Sequence, residues 1–135
     1  MTLNRMSSLW ARTALVWFVA AVGLGYYMGV TEQFQFGPSH AHIGVLGWLS
    51  SGVFAALYAI MGERSPAGLA PGLHWAAHTL GTASMTVGLF AAIGLGYQSL
   101  MALVVVGSTL VVISVLGAAI MLWPRLSPGG RLTQS

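Results

Sequence analysis

The sequence predicts an all-α integral membrane protein, folded as a bundle of four transmembrane helices. Only 5% of its 135 residues are Asp, Glu, Lys or Arg, and 56% are apolar or aromatic. A soluble domain is about 25% charged, so this chain cannot cover a water-facing surface with charge. The composition therefore excludes a soluble domain, a disordered tail and a nucleic-acid binder, and it makes the lipid bilayer the expected surroundings.

The positions of the charges predict the number of spans. Three stretches contain no Asp, Glu, Lys or Arg, and they are 19, 30 and 60 residues long (13–31, 33–62 and 65–124). One bilayer crossing takes about 20 apolar residues, so the third stretch holds two spans, divided at the turn formers of 94–99. The whole chain, 1–135, is expected to form a single domain, with helices at about 9–30, 39–61, 71–95 and 99–123.

Local signals agree with these helices in turn. The first apolar stretch has full spanning length and a poor cleavage site, so we expect a retained helix rather than a signal peptide. Pro38 precedes the second helix, Pro71 marks the start of the third, and Pro124 follows the fourth. Proline is tolerated in the first helical turn and biases the residue before it out of the helical conformation.

The arginines predict the orientation. All five lie in the two terminal segments and the second loop, whereas the other two loops contain none. By the positive-inside rule we expect both termini to be cytoplasmic. The expected location of this multi-pass protein is a bacterial-type inner (plasma) membrane. Four aromatic residues are expected in the inner interfacial belt: Trp10, Tyr58, Trp75 and Trp123.

Histidines are the main chemistry available to this chain, because it has no cysteine and few other polar groups. That excludes disulfides, iron–sulfur clusters and thiolate metal sites. His40 and His42 stand near the outer start of the second helix. Residues two apart on a regular helix point about 200° apart, so these two cannot share one small metal ion and suit two separate ligand sites. Small residues follow them and would let a flat ring or another helix approach.

His74 and His78 stand four residues apart at the inner start of the third helix, so they face the same way. With a third ligand they could hold copper or zinc. Hydrogen bonding at a helix start is the competing explanation for them.

The segment Pro38–Trp48, followed by Gly52–Tyr58, resembles a haem-ligand helix of subunit I of the haem–copper oxidase and nitric oxide reductase superfamily. Leu73–Gly81 with Met85–Leu89 resembles the next helix of short, four-helix homologues of that subunit. The resemblance covers roughly residues 36–90. It implies haem b with His40 and His42 as axial ligands, and it implies haem packing by Gly44, Gly47 and Trp48.

The resemblance also implies an assembly. Subunit I of that family has twelve helices in three pseudo-symmetric arcs, and this chain has the helices of one arc. A homotrimer would rebuild the ring, with His40 of one subunit and His42 of the next on the two faces of one haem. Such bis-histidine ligation leaves no open position for oxygen. The expected role is therefore electron transfer or redox or haem sensing, with a quinone or a respiratory protein as the electron-transfer partner, rather than terminal oxidase activity.

Two alternatives remain open from the sequence. The four histidines could serve a copper- or zinc-binding membrane protein without haem. The chain could also be a non-catalytic accessory subunit of a respiratory complex, packed through its Gly and Ser faces.

Overall fold

The computed structural model describes residues 4–126, which are helical throughout apart from short turns and include no strand. Four helices are long and apolar enough to cross a membrane: α1 (Arg5–Thr31), α2 (Phe34–Arg64), α3 (Ala70–Gly94) and α4 (Gln98–Arg125). The four predicted helices are confirmed. The first two begin earlier than predicted, at positions 5 and 34 instead of 9 and 39.

Local interactions explain where these helices begin and end. The Asn4 side chain accepts a hydrogen bond from the Ser7 backbone N–H at 2.8 Å and caps α1, and this extends the helix beyond the predicted start. Glu32 ends α1 in the left-handed conformation (φ 57°). Gly96 has φ 82° in the turn between α3 and α4, a conformation that glycine adopts without steric cost.

The second helix is not regular along its length. The histidine-bearing segment Gly37–His42 is α-helical, Ile43–Leu49 forms a π-helix, and Ser50–Met61 is α-helical again. A π-helix widens the hydrogen-bonding pattern from i→i+4 to i→i+5, and such segments occur frequently at functional sites. The sequence analysis did not predict this segment.

The helices pack in chain order. Helix α1 lies along α2 and α3 lies along α4, in two contacts of similar extent, and a smaller contact joins α2 to α3. Gly81 and Gly107 lie opposite each other in the contact between α3 and α4. A side chain on Gly81 would meet the Gly107 carbonyl oxygen at 2.8 Å. Glycine at both positions therefore allows the two backbones to approach, as in small-residue contacts between membrane helices.

The surface of the bundle is strongly apolar. Large hydrophobic side chains are exposed on every helix, for example Val19 (72%), Leu80 (63%) and Ile120 (79%). Surfaces of this kind need an apolar solvent or a partner, as expected of a multi-pass membrane protein.

The buried core lies near the arginine-bearing end. Trp10 and Tyr58 are both 0% exposed and pack with Met61, Ala118 and Leu122. The prediction that Trp10 and Tyr58 belong to the interfacial belt is therefore wrong, because neither ring reaches the protein surface. Trp123, at 79% exposure, does stand on the surface as predicted.

Candidate cofactor-binding site

His40 lies in a notch between α1 and α2. A side chain on Gly25 of α1 would meet the His40 ring, with its Cβ only 2.9 Å from Cε1 and 3.4 Å from Nδ1. The imidazole therefore occupies the space that this glycine leaves open. Its Nδ1 is buried and has no hydrogen-bond partner among the described residues. Six other buried side-chain atoms of the described residues also lack a partner. The His40 atom differs from most of them because it belongs to a metal-ligating residue type.

His42 has a different environment. Its Nδ1 lies 2.7 Å from the Pro38 carbonyl oxygen. Because a carbonyl can only accept, Nδ1 carries the proton, and in the neutral ring Nε2 keeps the lone pair. The half-buried ring lines a groove of about 260 Å³ together with Ala41, Val45 and Leu46. All four residues belong to α2, so this chain supplies only one wall of the groove.

The two histidines thus face different neighbours, as the sequence predicted. Both stand in the regular part of α2, where a separation of two residues turns the side chain by about 200°. His40 packs against α1, and His42 lines the open groove. Each ring has a nitrogen that no residue of the described chain uses.

The three residues expected to pack against a cofactor differ in accessibility. Gly47 is buried, and a side chain there would meet Trp17 of α1 at 2.6 Å. The same chain therefore already occupies the space beside Gly47. A Cβ on Gly44 would meet nothing within 4 Å. Trp48 is 43% exposed and packs against Phe18, with ring centroids 4.6 Å apart.

His74 and His78 are brought together, as predicted, but inside a packed aromatic cluster. His78 is 0% exposed and His74 is 6% exposed. The centroid of the Trp10 ring lies 4.9 Å from that of His74 and 5.4 Å from that of His78. The centroid of the Phe54 ring lies 4.5 Å from that of His74 and 5.5 Å from that of His78. The Tyr58 hydroxyl makes a long hydrogen bond, 3.4 Å, to His74 Nδ1. These contacts join α1, α2 and α3 near the arginine-bearing end.

His78 also connects α3 to the π-helix of α2. Its Nε2 donates to the Leu46 carbonyl oxygen at 2.9 Å. Leu46 lies within Ile43–Leu49, where the π-helical pattern disturbs the regular ladder of backbone bonds. His78 therefore satisfies a backbone acceptor one turn from His42. This bond gives His78 a structural role between two helices, which differs from the hydrogen bonding at a helix start that was the competing explanation.

The inner pair does not form a complete metal site within one chain. The nitrogens without a hydrogen-bond partner are His74 Nε2 and His78 Nδ1, and the two ring centroids are 6.4 Å apart. Structural zinc sites have four ligands and catalytic sites three protein ligands. Within residues 4–126, no three His, Cys, Asp or Glu residues are grouped so that they could hold a metal ion.

Several residues of these sites were not predicted from the sequence. Trp10 and Phe54 enclose the inner histidines, Leu46 accepts the hydrogen bond from His78, and Gly25 makes room for His40. Their roles depend on which helix lies opposite them, which no pattern along the chain records. The sequence matches no family model, no curated protein and no solved structure.

Proposed function

We propose that this protein is a b-type haem-binding membrane protein in which copies of the chain share each haem. His40 of one subunit and His42 of the next are the two axial ligands. The protein would transfer electrons or sense redox state or haem. The observation that carries this proposal is that the two histidines face different neighbours while each keeps a free ring nitrogen.

The environment of His42 fits an axial ligand. Histidines that ligate metals almost always donate their other ring N–H to a carboxylate, a backbone carbonyl or water, which fixes the tautomer and the ring orientation. In this chain, His42 Nδ1 donates to the Pro38 carbonyl oxygen. The remaining nitrogen, Nε2, is the one that an iron would need.

The environment of His40 fits the second ligand. The ring is positioned by the notch at Gly25, and its buried Nδ1 has no partner in the described chain. Because Nδ1 is buried against α1, a second chain cannot reach it. The nitrogen proposed to bind iron is therefore Nε2, which makes no hydrogen bond with a described residue.

The open groove beside His42 favours a second copy of the chain. A volume of about 260 Å³ is below the ~300–1,000 Å³ of usual ligand pockets, so the groove of one chain would cover only part of a haem. A histidine facing lipid is costly, so this face of α2 needs a cover. Farther along the face, Gly52 and Ala56 line a second shallow groove of about 240 Å³, and small residues suit close packing of helices.

The proposed homo-oligomer is a homotrimer. In a trimer, each interface joins His40 of one copy to His42 of the next and is heterologous, and three such interfaces form a ring when the rotation between neighbours closes. Three copies would give the twelve helices of the resembling subunit I architecture. Each chain would then contribute to two of three haems near the outer face, with both termini cytoplasmic in a bacterial-type inner membrane.

Haem would supply reversible one-electron transfer at this site. His40 and His42 would hold the iron between two chains, and a haem held in this way would leave oxygen no binding site. A membrane quinone or a respiratory electron-transfer protein is the proposed partner. The copper or zinc alternative has less support, because the inner histidines lack a third ligand among the described residues.

The test is an absorption spectrum of the purified protein, recorded oxidised and reduced. The proposal predicts a Soret band and sharp α and β bands when reduced, with one haem per chain. His40→Ala and His42→Ala should each lose these bands, whereas His74→Asn, the matched control, should keep them. A wild-type protein produced in cells supplied with haem and purified without any Soret band would overturn the proposal. A haem that survives the loss of both outer histidines would overturn it as well.

A further inference from the structure

A cleft opens at the arginine-bearing end of the bundle, between the start of α1, the loop before α3 and the first turns of α3. Its volume is about 470 Å³, larger than the groove beside His42. One cationic residue and several apolar residues line it: Arg5, Met6, Leu9, Pro66, Leu69 and Trp75.

The depth of the cleft matches the boundary between lipid headgroups and acyl chains. Helices α1 and α3 contain 27 and 25 residues, which gives lengths of about 40 and 37 Å. Both exceed a hydrocarbon core of about 30 Å, so their first turns reach the headgroup region. Arg5 stands at that level, and Leu9 and Trp75 lie about 6–8 Å farther in.

The lining has a cationic rim and an apolar wall. Arg5 and Leu69 are exposed. The Trp75 ring is held in place because its Nε1 donates to Thr13 Oγ1 of α1 at 2.9 Å. The apolar wall is therefore preformed in the chain without a ligand.

The positive charge of the arginine-bearing end favours an anionic ligand in the cleft. This end carries four arginines of the described chain and one acid, Glu63. An anion would be attracted to this end, whereas the corresponding end of a second copy would add only further positive charge to the cleft. The neighbouring anions in a bilayer are phospholipid headgroups.

We propose that this cleft binds one anionic phospholipid per chain. The Arg5 guanidinium pairs with the phosphate, and one acyl chain lies against Met6, Leu9 and Trp75. The proposal does not depend on haem binding. It assigns to this chain a lipid site that would anchor the first turns of α1 and α3 at the membrane surface.

Delipidated protein in neutral detergent tests the proposal by native mass spectrometry and thermal-shift titration. The probes are phosphatidylglycerol, phosphatidylcholine and inorganic phosphate. We expect one phosphatidylglycerol molecule to bind per chain and to raise the melting temperature. Phosphatidylcholine and inorganic phosphate should have little effect on it. Arg5→Gln should weaken phosphatidylglycerol binding about fivefold, which corresponds to the ~1 kcal/mol of one basic residue near a membrane surface.

Two further variants make the result specific. Arg12→Gln removes the same charge from the same helix outside the cleft and should bind phosphatidylglycerol as the wild type does. Gly72 also lines the cleft, and a Cβ at that position meets nothing within 4 Å. Gly72→Phe should therefore fold, fill the cleft and lose the lipid.

Four results would overturn the proposal. If phosphatidylcholine bound as tightly as phosphatidylglycerol, the site would not require an anion. If Arg5→Gln and Arg12→Gln weakened phosphatidylglycerol binding equally, the attraction would come from the overall positive charge of this end and not from the cleft. Stabilisation by phosphate alone would indicate an anion site without lipid. A lower oligomer mass for Gly72→Phe with unchanged lipid binding would show that a second copy occupies the cleft.

Discussion

Replacing Gly25 by alanine should displace the His40 ring without unfolding the protein. The added Cβ would stand 2.9 Å from His40 Cε1, whereas two carbon atoms pack best at about 3.5–4.0 Å. The separation must therefore grow by at least about 0.6 Å. A binding constellation tolerates displacements of only about 0.5 Å, so the proposed iron ligand would be moved out of place.

The size of the effect follows from the cost of overpacking. Extra methyl groups in a packed site cost about 1–3 kcal/mol, which corresponds to a haem affinity lowered about 5- to 150-fold. Gly29→Ala is the matched control, because it lies one turn further along α1 and its Cβ would meet nothing within 4 Å. Both variants gain the same helix propensity, about 1 kcal/mol, so this term cancels between them.

The assay is a haem titration of apo-protein followed at the Soret band, with size-exclusion chromatography to check folding. We expect weaker binding for Gly25→Ala and wild-type binding for Gly29→Ala. Equal affinities of the two folded variants would refute the claim that the notch at Gly25 positions an iron ligand.

Two further predictions concern packing. His78→Ala should lower the free energy of unfolding by about 1–3 kcal/mol, because it removes a buried hydrogen bond between α3 and the Leu46 carbonyl of α2. His78→Gln should recover part of this loss in chemical unfolding, and equal losses for the two variants would contradict the role of the bond. Gly107→Leu should lower the melting temperature in detergent, because a Cβ there would collide with the Met85 backbone. Gly117→Leu, on the same helix with open space around it, should not lower it, and a similar drop would contradict the assigned contact.

The number and approximate positions of the helices could be predicted because composition and charge positions are read directly from the sequence. Charge-free stretches of spanning length predict helices whatever their neighbours are, and the turn at Gly96 needs only its own backbone freedom. The opposite directions of His40 and His42 follow from helix periodicity alone. These features required no knowledge of which helix lies beside which.

The features that could not be predicted depend on contacts between helices. Trp10 has the position of an interfacial residue along the chain, yet α2 and α3 enclose it. The π-helix leaves no clear signal in its own residues, and its Leu46 carbonyl finds its donor on α3. The notch at Gly25 becomes meaningful only when the His40 ring is seen inside it.

The most direct test of the shared site is complementation between two inactive chains. His40→Ala and His42→Ala subunits, each unable to bind haem alone, are co-expressed in equal amounts and the haem content of the assembly is measured. In a ring, a site joins His40 of one copy to His42 of the next, so random mixing should restore about a quarter of the wild-type haem. If both ligands came from the same chain, mixing would restore none, and that result would contradict the account.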